Sequence, residues 1–201
     1  MERSTATRDL DLYEIAYLAG GLPRLVDAAM VAMVEAGRVR VHSPGQLAVA
    51  DPTRRHPVEA AVLDAVGTRG HRSVDVIRWR LAEDDRILDV GRRLTAAGLL
   101  RRWSGFHRGP EPARTAAGHR LLRDLAAGPT AVGAVLVALH GRERMTDALL
   151  RASIFEPLPA PDERLSADRL RHRIDAARQS ADYDVGRGYA GGFSGGADGM
   201  G

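Results

Sequence analysis

The strongest constraint on the fold is a pattern near the start of the chain in which a helix leads into a hairpin. Apolar side chains recur at helical spacing from Leu25 to Val34, and Gly37 follows as a helix stop. Residues 38–42 then alternate as a strand does, residues 43–46 (SPGQ) have the composition of a turn, and residues 47–50 form a returning strand. This stretch therefore predicts a helix followed by a β-hairpin.

Capping signals predict further short helices on both sides of this stretch. Asp11 and Glu14 have the spacing of a capping box for a first helix that ends at Gly20-Gly21, and Pro23 suits the start of the next. Thr130 is expected to cap the most apolar helix, which we predict to be the buried centre. The other predicted helices span residues 57–66, 74–81, 85–97, 113–126 and 143–153.

These patterns predict a mainly α fold with a single helical domain, one or two short β-hairpins and a winged-helix-like helix-helix-hairpin start. The last sixteen residues contain eight Gly, and such a segment buries too little apolar surface to offset its chain entropy. The predicted organisation is a flexible N-terminus (1–10), the domain (11–155), a Pro-rich linker (156–162), a polar helix (163–181) and a disordered Gly-rich tail (182–201).

The residues that most enzymes use are missing or scattered. Cysteine is absent, which excludes disulfides, thiolate metal sites and a cysteine nucleophile. The seven His lack metal-ligand spacing. The dinucleotide-type and nucleophile-elbow strings within residues 186–196 lack the strand-turn-helix context that such motifs need. These residues name no reaction, and we expect no cofactor and no metal.

Basic residues are concentrated in the middle of the chain. The net charge is +3, but eight Arg lie between Arg92 and Arg123, where Glu111 is the one acid. Such a surplus favours an anionic partner, either a lipid surface or nucleic acid. Trp103, which Arg101, Arg102 and Arg108 flank, suits a membrane interface or a stacked base.

The start of the chain shows no apolar secretion signal, and the longest apolar run, residues 131–139, is short of the ~20 residues that span a bilayer. We therefore expect a cytoplasmic protein without a transmembrane segment, whose contact with a membrane is peripheral.

The order of these segments resembles the Golgi phosphoprotein family of phosphoinositide-binding adaptors, and the whole chain is similar to an uncharacterised actinobacterial family with glycine-rich tails. The resemblance implies a mostly helical, non-enzymatic domain. It rests on residues 25–41 (LVDAAMVAMVEAGRVRV), 51–53 (DPT), 56–64 (HPVEAAVLD), 94–100 (LTAAGLL), 112–125 and 130–150, in the family's order.

The resemblance also implies a lipid site made of one aromatic and several Arg. The aromatic position falls near Tyr17. The expected Arg of the following helix falls on Val26, with Arg24 two residues away, and the later Arg pair falls on Ile87 and Asp89, beside Arg86. The candidate anion-binding residues are therefore Tyr17, Arg24, Arg86, Arg92, Arg93, Arg101, Arg102, Trp103 and Arg108.

Three functions remain open from the sequence. The first is a binding or adaptor domain at an anionic membrane. The second is a folded leader, like that of a modified-peptide precursor, whose tail a partner enzyme recognises through Tyr189, Phe193, Ser194 and Asp198. The third is a winged-helix-like DNA-binding protein, and we rank nucleic acid below the other partners.

Overall fold

The computed structural model of the chain describes residues 10–101, 112–128 and 130–157, all within one unit that ends at Pro157. These residues are mainly helical, with a small antiparallel sheet, as the sequence predicts. The helices are α1 (Leu12–Glu35), α2 (Pro57–Val66), α3 (Val74–Leu81), α4 (Asp85–Ala96), α5 (Ala116–Ala126), α6 (Gly133–His140) and α7 (Ala148–Phe155), and the strands are β1 (Val39–Ser43), β2 (Gln46–Val49) and β3 (Arg72–Ser73).

Helix α1 is the central element, and a kink divides it into the two helices that the sequence predicts. Asp11 and Glu14 form the predicted capping box at its start. Gly20 and Gly21 leave the helical conformation, and Gly21 has φ 70°, a value that favours glycine. The apolar stripe of the second half is buried from Leu25 to Met33, and Val34 is half-buried, so α1 forms the middle of the core.

Helix α6 lies along the second half of α1, and charged side chains of α1 hold both of its ends. The Glu35 carboxylate accepts from the Ala134 N–H at 3.1 Å, at the N-terminus of α6. Arg24 donates to the Leu139 carbonyl at 3.1 Å, near its C-terminus. An acid at the N-terminus and a base at the C-terminus both complement the helix dipole. The predicted Thr130 cap is wrong, because Val132 is the N-cap and Glu35 satisfies the helix end from outside.

The prediction that α6 is the buried centre is also wrong. Ala134, Val137 and Ala138 face α1 and are buried, whereas Val132 and Val135 are 70% and 45% exposed. Helix α6 packs mainly against α1, so it is buried chiefly on the side that faces α1. The buried centre is α1 itself.

The sheet has the order β1-β2-β3, and both pairings are antiparallel. The predicted hairpin is confirmed, with Val39 opposite Val49 and Val41 opposite Leu47. The third strand, β3, was not predicted, because two residues are too few to show alternation. Outside this sheet, an isolated antiparallel bridge joins Leu100 and Arg114.

A polar network lies at the junction of α1, β1 and α2. The Arg38 side chain is 3% exposed and pairs with Glu59 through Nη1, while its Nε lies 3.8 Å from Asp51. The Tyr13 hydroxyl donates to the other Glu59 oxygen at 2.9 Å. Burial, and then this hydrogen bond to a carboxylate, raise the pKa of Tyr13. His56 caps α2 by accepting from the Val58 N–H, and it packs on the Tyr13 ring.

Two predicted helix boundaries differ from the structure. The helix predicted at 143–153 begins instead at Ala148, because residues 142–144 form a separate 3₁₀ turn. The helix predicted at 113–126 begins at Ala116, where Thr115 is the N-cap. The predicted N-terminal segment up to residue 9, the linker beyond Pro157, the polar helix 163–181 and the tail 182–201 lie outside the described residues.

Candidate anion-binding surface

Arg24 and Arg86, which the family resemblance points to, have structural partners in the fold. Arg24 is half-buried at the end of α6. Arg86 donates to both carboxylate oxygens of Asp84, at 3.0 and 2.7 Å, and to Asp64 at 2.8 Å. These hydrogen bonds raise the pKa of Arg86 and lower the pKa of Asp84. The positive charge of Arg86 is therefore balanced within the domain.

The charge of Asp84 should make the stability of the domain depend on pH. Because Arg86 lowers the pKa of Asp84 in the folded state below its ordinary 3.8, the stabilisation is present above pH 3.8 and is lost as the pH falls through the folded value. Asp84→Asn keeps an N-cap oxygen and removes the charge. We expect urea denaturation to show a loss of about 1 kcal/mol at neutral pH, and none in strong acid.

The matched control for this prediction is Asp85→Asn, because the Asp85 side chain is 90% exposed. We expect no measurable loss of stability for this variant at either pH. A deficit of Asp84→Asn that persisted unchanged in acid would contradict the assigned ion pair.

Arg92 and Arg93 lie on the outer face of α4 among acidic neighbours. Arg92 is 3.2 Å from Asp89 and 3.6 Å from Asp85. Arg93 is 3.7 Å from Asp89 and 3.9 Å from Glu14 of α1. Both Arg side chains are about half exposed, so an anion could reach them, but it would meet these carboxylates as well.

Tyr17 packs in the contact between α1 and α4. A Cβ added at Gly91 would lie 2.5 Å from the Tyr17 hydroxyl, so glycine is what admits the ring. Burial raises the pKa of Tyr17. The ring is half-buried and fills the space between the two helices.

The remaining predicted site residues divide into one that the structure places and several that it does not. Arg101 is exposed, and its backbone N–H donates to the Ala113 carbonyl at 2.8 Å, next to the bridge between Leu100 and Arg114. The others, Arg102, Trp103, Arg108, Tyr189, Phe193, Ser194 and Asp198, lie outside the described residues. The structure thus places Arg24 on α1 and Arg86, Arg92 and Arg93 along α4, and each of these side chains has partners of its own within the domain.

Helix α5 carries two exposed Arg side chains of the Arg-rich stretch between Arg92 and Arg123. Gly118 is its one buried residue, and Leu121, Leu122 and Leu125 share that inner face. Arg120 and Arg123 lie one turn apart on the outer face, and both are exposed. The arrangement is that of an amphipathic helix whose solvent-facing side carries two cations and one acid, Asp124, which is exposed one turn after Arg120.

Arg114 anchors the start of α5 to the rest of the domain. Its Nε donates to the Leu18 carbonyl at 2.6 Å, and its Nη2 donates to the Ala19 carbonyl. These carbonyls end the first half of α1, where a cation complements the helix dipole. Of the basic stretch, Arg114 is therefore structural, whereas Arg120 and Arg123 face outward.

Arg120 and Arg123 are not among the site residues predicted from the sequence. A signal was present, because positions 118, 121, 122 and 125 recur at helical spacing and leave 120 and 123 on the opposite side. The predicted site instead includes Arg101, Arg102 and Arg108, which flank Trp103.

The order of elements from α2 to α5 matches that of a winged helix. Helix α2 is followed by β3, then by α3 and α4, which a three-residue turn (82–84) joins, and then by the two bridged segments at Leu100 and Arg114. A helix-turn-helix of this kind places its second helix in the DNA major groove. Residues 57–126 thus show a second helix-helix-strand order, in addition to the helix-helix-hairpin that the sequence predicts for the start of the chain.

The second helix of this unit, α4, is negatively charged at its N-terminus, which opposes binding to DNA phosphates. Asp84 and Asp85 stand at its N-terminus, where recognition helices contact base edges. The nearest basic residue, Arg86, is paired with Asp84 and Asp64. Helix α1 also packs against α4 through Tyr17.

Comparisons of the chain with protein-family models, with curated proteins and with solved structures find no match. The resemblance to the Golgi phosphoprotein family therefore stays a prediction, and the candidate sites rest on the geometry alone.

Two further properties of the described residues bear on the candidate partners. Helix α1 is the one helix in those ranges that is long and apolar enough to cross a membrane, with a mean hydropathy of 1.3, but half of that window is buried inside the domain. In the same ranges no group of three His, Asp or Glu side chains lies close enough to hold a metal ion.

Proposed function

We propose that the chain is a non-enzymatic binding domain that attaches to anionic membrane surfaces through the basic face of α5. The observation that carries this proposal is the exposure of Arg120 and Arg123 on a helix that only its inner face holds to the domain. Arg101, which is exposed beside the bridge between Leu100 and Arg114, adds positive charge. Each basic residue near an anionic surface contributes about 1 kcal/mol to binding.

Flotation of the full-length chain with vesicles tests this proposal. We expect binding to vesicles of phosphatidylcholine with phosphatidylserine, and not to phosphatidylcholine alone. Arg120→Gln with Arg123→Gln should weaken binding about tenfold, because two cations are lost and salt screens part of their effect. The control is Arg40→Gln, which removes an exposed charge from β1. Equal binding by the double variant and the unchanged chain would refute a role for α5.

DNA binding is a second candidate, favoured by the winged-helix order of residues 57–126. The acidic start of α4 opposes it, since phosphates repel carboxylates. Titration of duplex DNA in ~50 mM salt decides between the two functions. Duplex binding that weakens steeply with added salt, together with no vesicle binding, would replace the membrane proposal.

The hypothesis of a folded leader with a recognised tail concerns Tyr189, Phe193, Ser194 and Asp198, all outside the described residues. The measurement that tests it is the intact mass of the protein purified from its native host. A mass equal to that of the unmodified full chain would count against it.

A further inference from the structure

The edge of β1 that faces away from β2 carries main-chain groups that the hairpin does not use. The Ala50 N–H donates to the Arg38 carbonyl at 2.8 Å, so residues 38 and 50 form a hydrogen-bonded pair. Such pairs recur at every second residue of an antiparallel ladder, and the next one contains Arg40. Val39 and Val41 therefore direct their N–H and carbonyl groups away from β2.

This edge is open along its middle. In the described ranges, no main-chain group outside the sheet forms a hydrogen bond with Val39 or Val41. Helix α7 reaches the sheet at the hairpin tip, where the Ser153 carbonyl accepts from the Gly45 N–H at 2.9 Å. That contact lies beyond the end of β1. An edge strand with unpaired N–H and carbonyl groups is a template for a further strand.

The two faces of this edge differ in chemistry. Arg40 and His42 are exposed on the outer face, and the His42 ring stacks on the His71 ring with centroids 4.0 Å apart. Val39 and Val41 lie on the inner face, where the first is buried and the second half-buried. The three described strands contain no acidic residue. A strand beside β1 would thus meet a cation on one face and apolar side chains on the other.

We propose that the edge of β1 binds an extended acidic segment of a partner protein, which joins the sheet next to β1. Main-chain hydrogen bonds to Val39 and Val41 hold the segment, and its alternate side chains give specificity. A carboxylate of the segment lies opposite Arg40, where an opposite-charge pair stabilises a sheet. The residues on either side of that carboxylate are apolar and pack beside the two valines.

A second copy of the chain fits this edge less well than an acidic segment does. Two-fold pairing of β1 with itself through the free groups places Val39 of each copy opposite Val41 of the other. The axis then passes at Arg40, so the two Arg40 side chains face each other, and directly opposed like charges destabilise a sheet. A surface of phosphate groups fits less well too, because phosphates offer acceptors to the N–H groups but no donors to the carbonyl groups.

Amide hydrogen exchange of the full-length chain, measured by NMR, tests whether the edge is open and what covers it. We expect the Val39 and Val41 amides to exchange at least about tenfold faster than the Arg40 amide, which faces β2. A blocked peptide in which glutamate and valine alternate should slow both valine amides, with a dissociation constant of about 1 mM or below. Proline in place of its central valine should weaken binding about tenfold, because proline lacks the N–H.

A charge exchange tests the match at Arg40. A peptide with lysine in place of glutamate should bind the unchanged chain about tenfold more weakly, and Arg40→Glu should reverse this preference. The control is Arg144→Glu, which reverses an exposed charge in the 3₁₀ turn and should leave the preference as it is. Thermal unfolding of each variant verifies that it is folded.

Valine amides as slow as that of Arg40 in the free chain overturn the proposal, as does the absence of binding by the glutamate peptide at about 10 mM. Equal binding of the glutamate and lysine peptides overturns the acidic partner. Valine amides that slow only with rising protein concentration would assign the edge to a second copy instead. The outcome is independent of vesicle binding, because Arg120→Gln with Arg123→Gln leaves β1 unchanged and should bind the peptide as the unchanged chain does.

Discussion

Replacing Glu59 by Gln should lower the free energy of unfolding by about 3 kcal/mol, because it breaks a buried ion pair while leaving one partner charged. Arg38 is 3% exposed, and Glu59 holds both its Nη1 and the Tyr13 hydroxyl. The Nε and Nη2 atoms of Arg38 are buried without a hydrogen bond among the described residues, so Glu59 is its main compensation. Urea denaturation at neutral pH measures the loss.

Two further variants make this prediction specific. Arg38→Met combined with Glu59→Leu removes both charges, and it should recover most of the lost stability because no uncompensated ion remains. Arg54→Gln removes one partner of the exposed pair Arg54–Asp64 and should cost at most about 0.5 kcal/mol. A Glu59→Gln variant as stable as the unchanged chain would show that Arg38 is satisfied in another way.

The burial of Arg38 shows that the alternation of polar and apolar residues in a strand does not predict burial just before the strand begins. The alternation of residues 38–42 groups Arg38 with Arg40 and His42 on one face. In the structure Arg40 and His42 are exposed as the pattern predicts, but β1 begins at Val39. Arg38 belongs to the tight helix end at Gly37, and its environment comes from α2, which is distant in sequence.

Local signals predicted the helices well, because capping depends on residues three or four positions apart. The capping box of Asp11 and Glu14 and the Gly37 stop are confirmed, and Ser73 caps α3 immediately before the predicted start at residue 74. Helix α6 is the exception, since Glu35 caps it from 99 positions away in the sequence. No local pattern at Thr130 could reveal that partner.

The candidate site was harder to predict than the fold, because a count of Arg residues ignores where their partners lie. Arg86 pairs with Asp64, 22 positions earlier, and Arg93 approaches Glu14 of α1. Arg114 donates hydrogen bonds to the carbonyls of Leu18 and Ala19. Folding thus leaves fewer outward cations than the sequence suggests, and it leaves Arg120 and Arg123 on α5 facing solvent.

Substituting Ala for Gly118 should destabilise the domain by about 2.5 kcal/mol, although alanine is the better helix former by about 1 kcal/mol. A Cβ at this position would overlap the Leu99 carbonyl oxygen and lie 3.3 Å from Leu18 Cδ1. That carbonyl also accepts from the Thr115 N–H at 3.0 Å, so it cannot move without loosening the helix cap. Urea denaturation gives the stability, and hydrogen exchange should show faster exchange of the α5 amides.

Ala117→Gly is the matched control for Gly118→Ala, because residue 117 is the exposed neighbour on the same helix. Helix propensity alone predicts a loss of about 1 kcal/mol for Ala117→Gly and a gain for Gly118→Ala, so a stabilised Gly118→Ala variant would show that α5 does not approach Leu99 closely. The comparison also separates packing from binding. Gly118→Ala loosens α5 and lowers stability, whereas Arg120→Gln with Arg123→Gln should weaken vesicle binding at unchanged stability, since both side chains face outward.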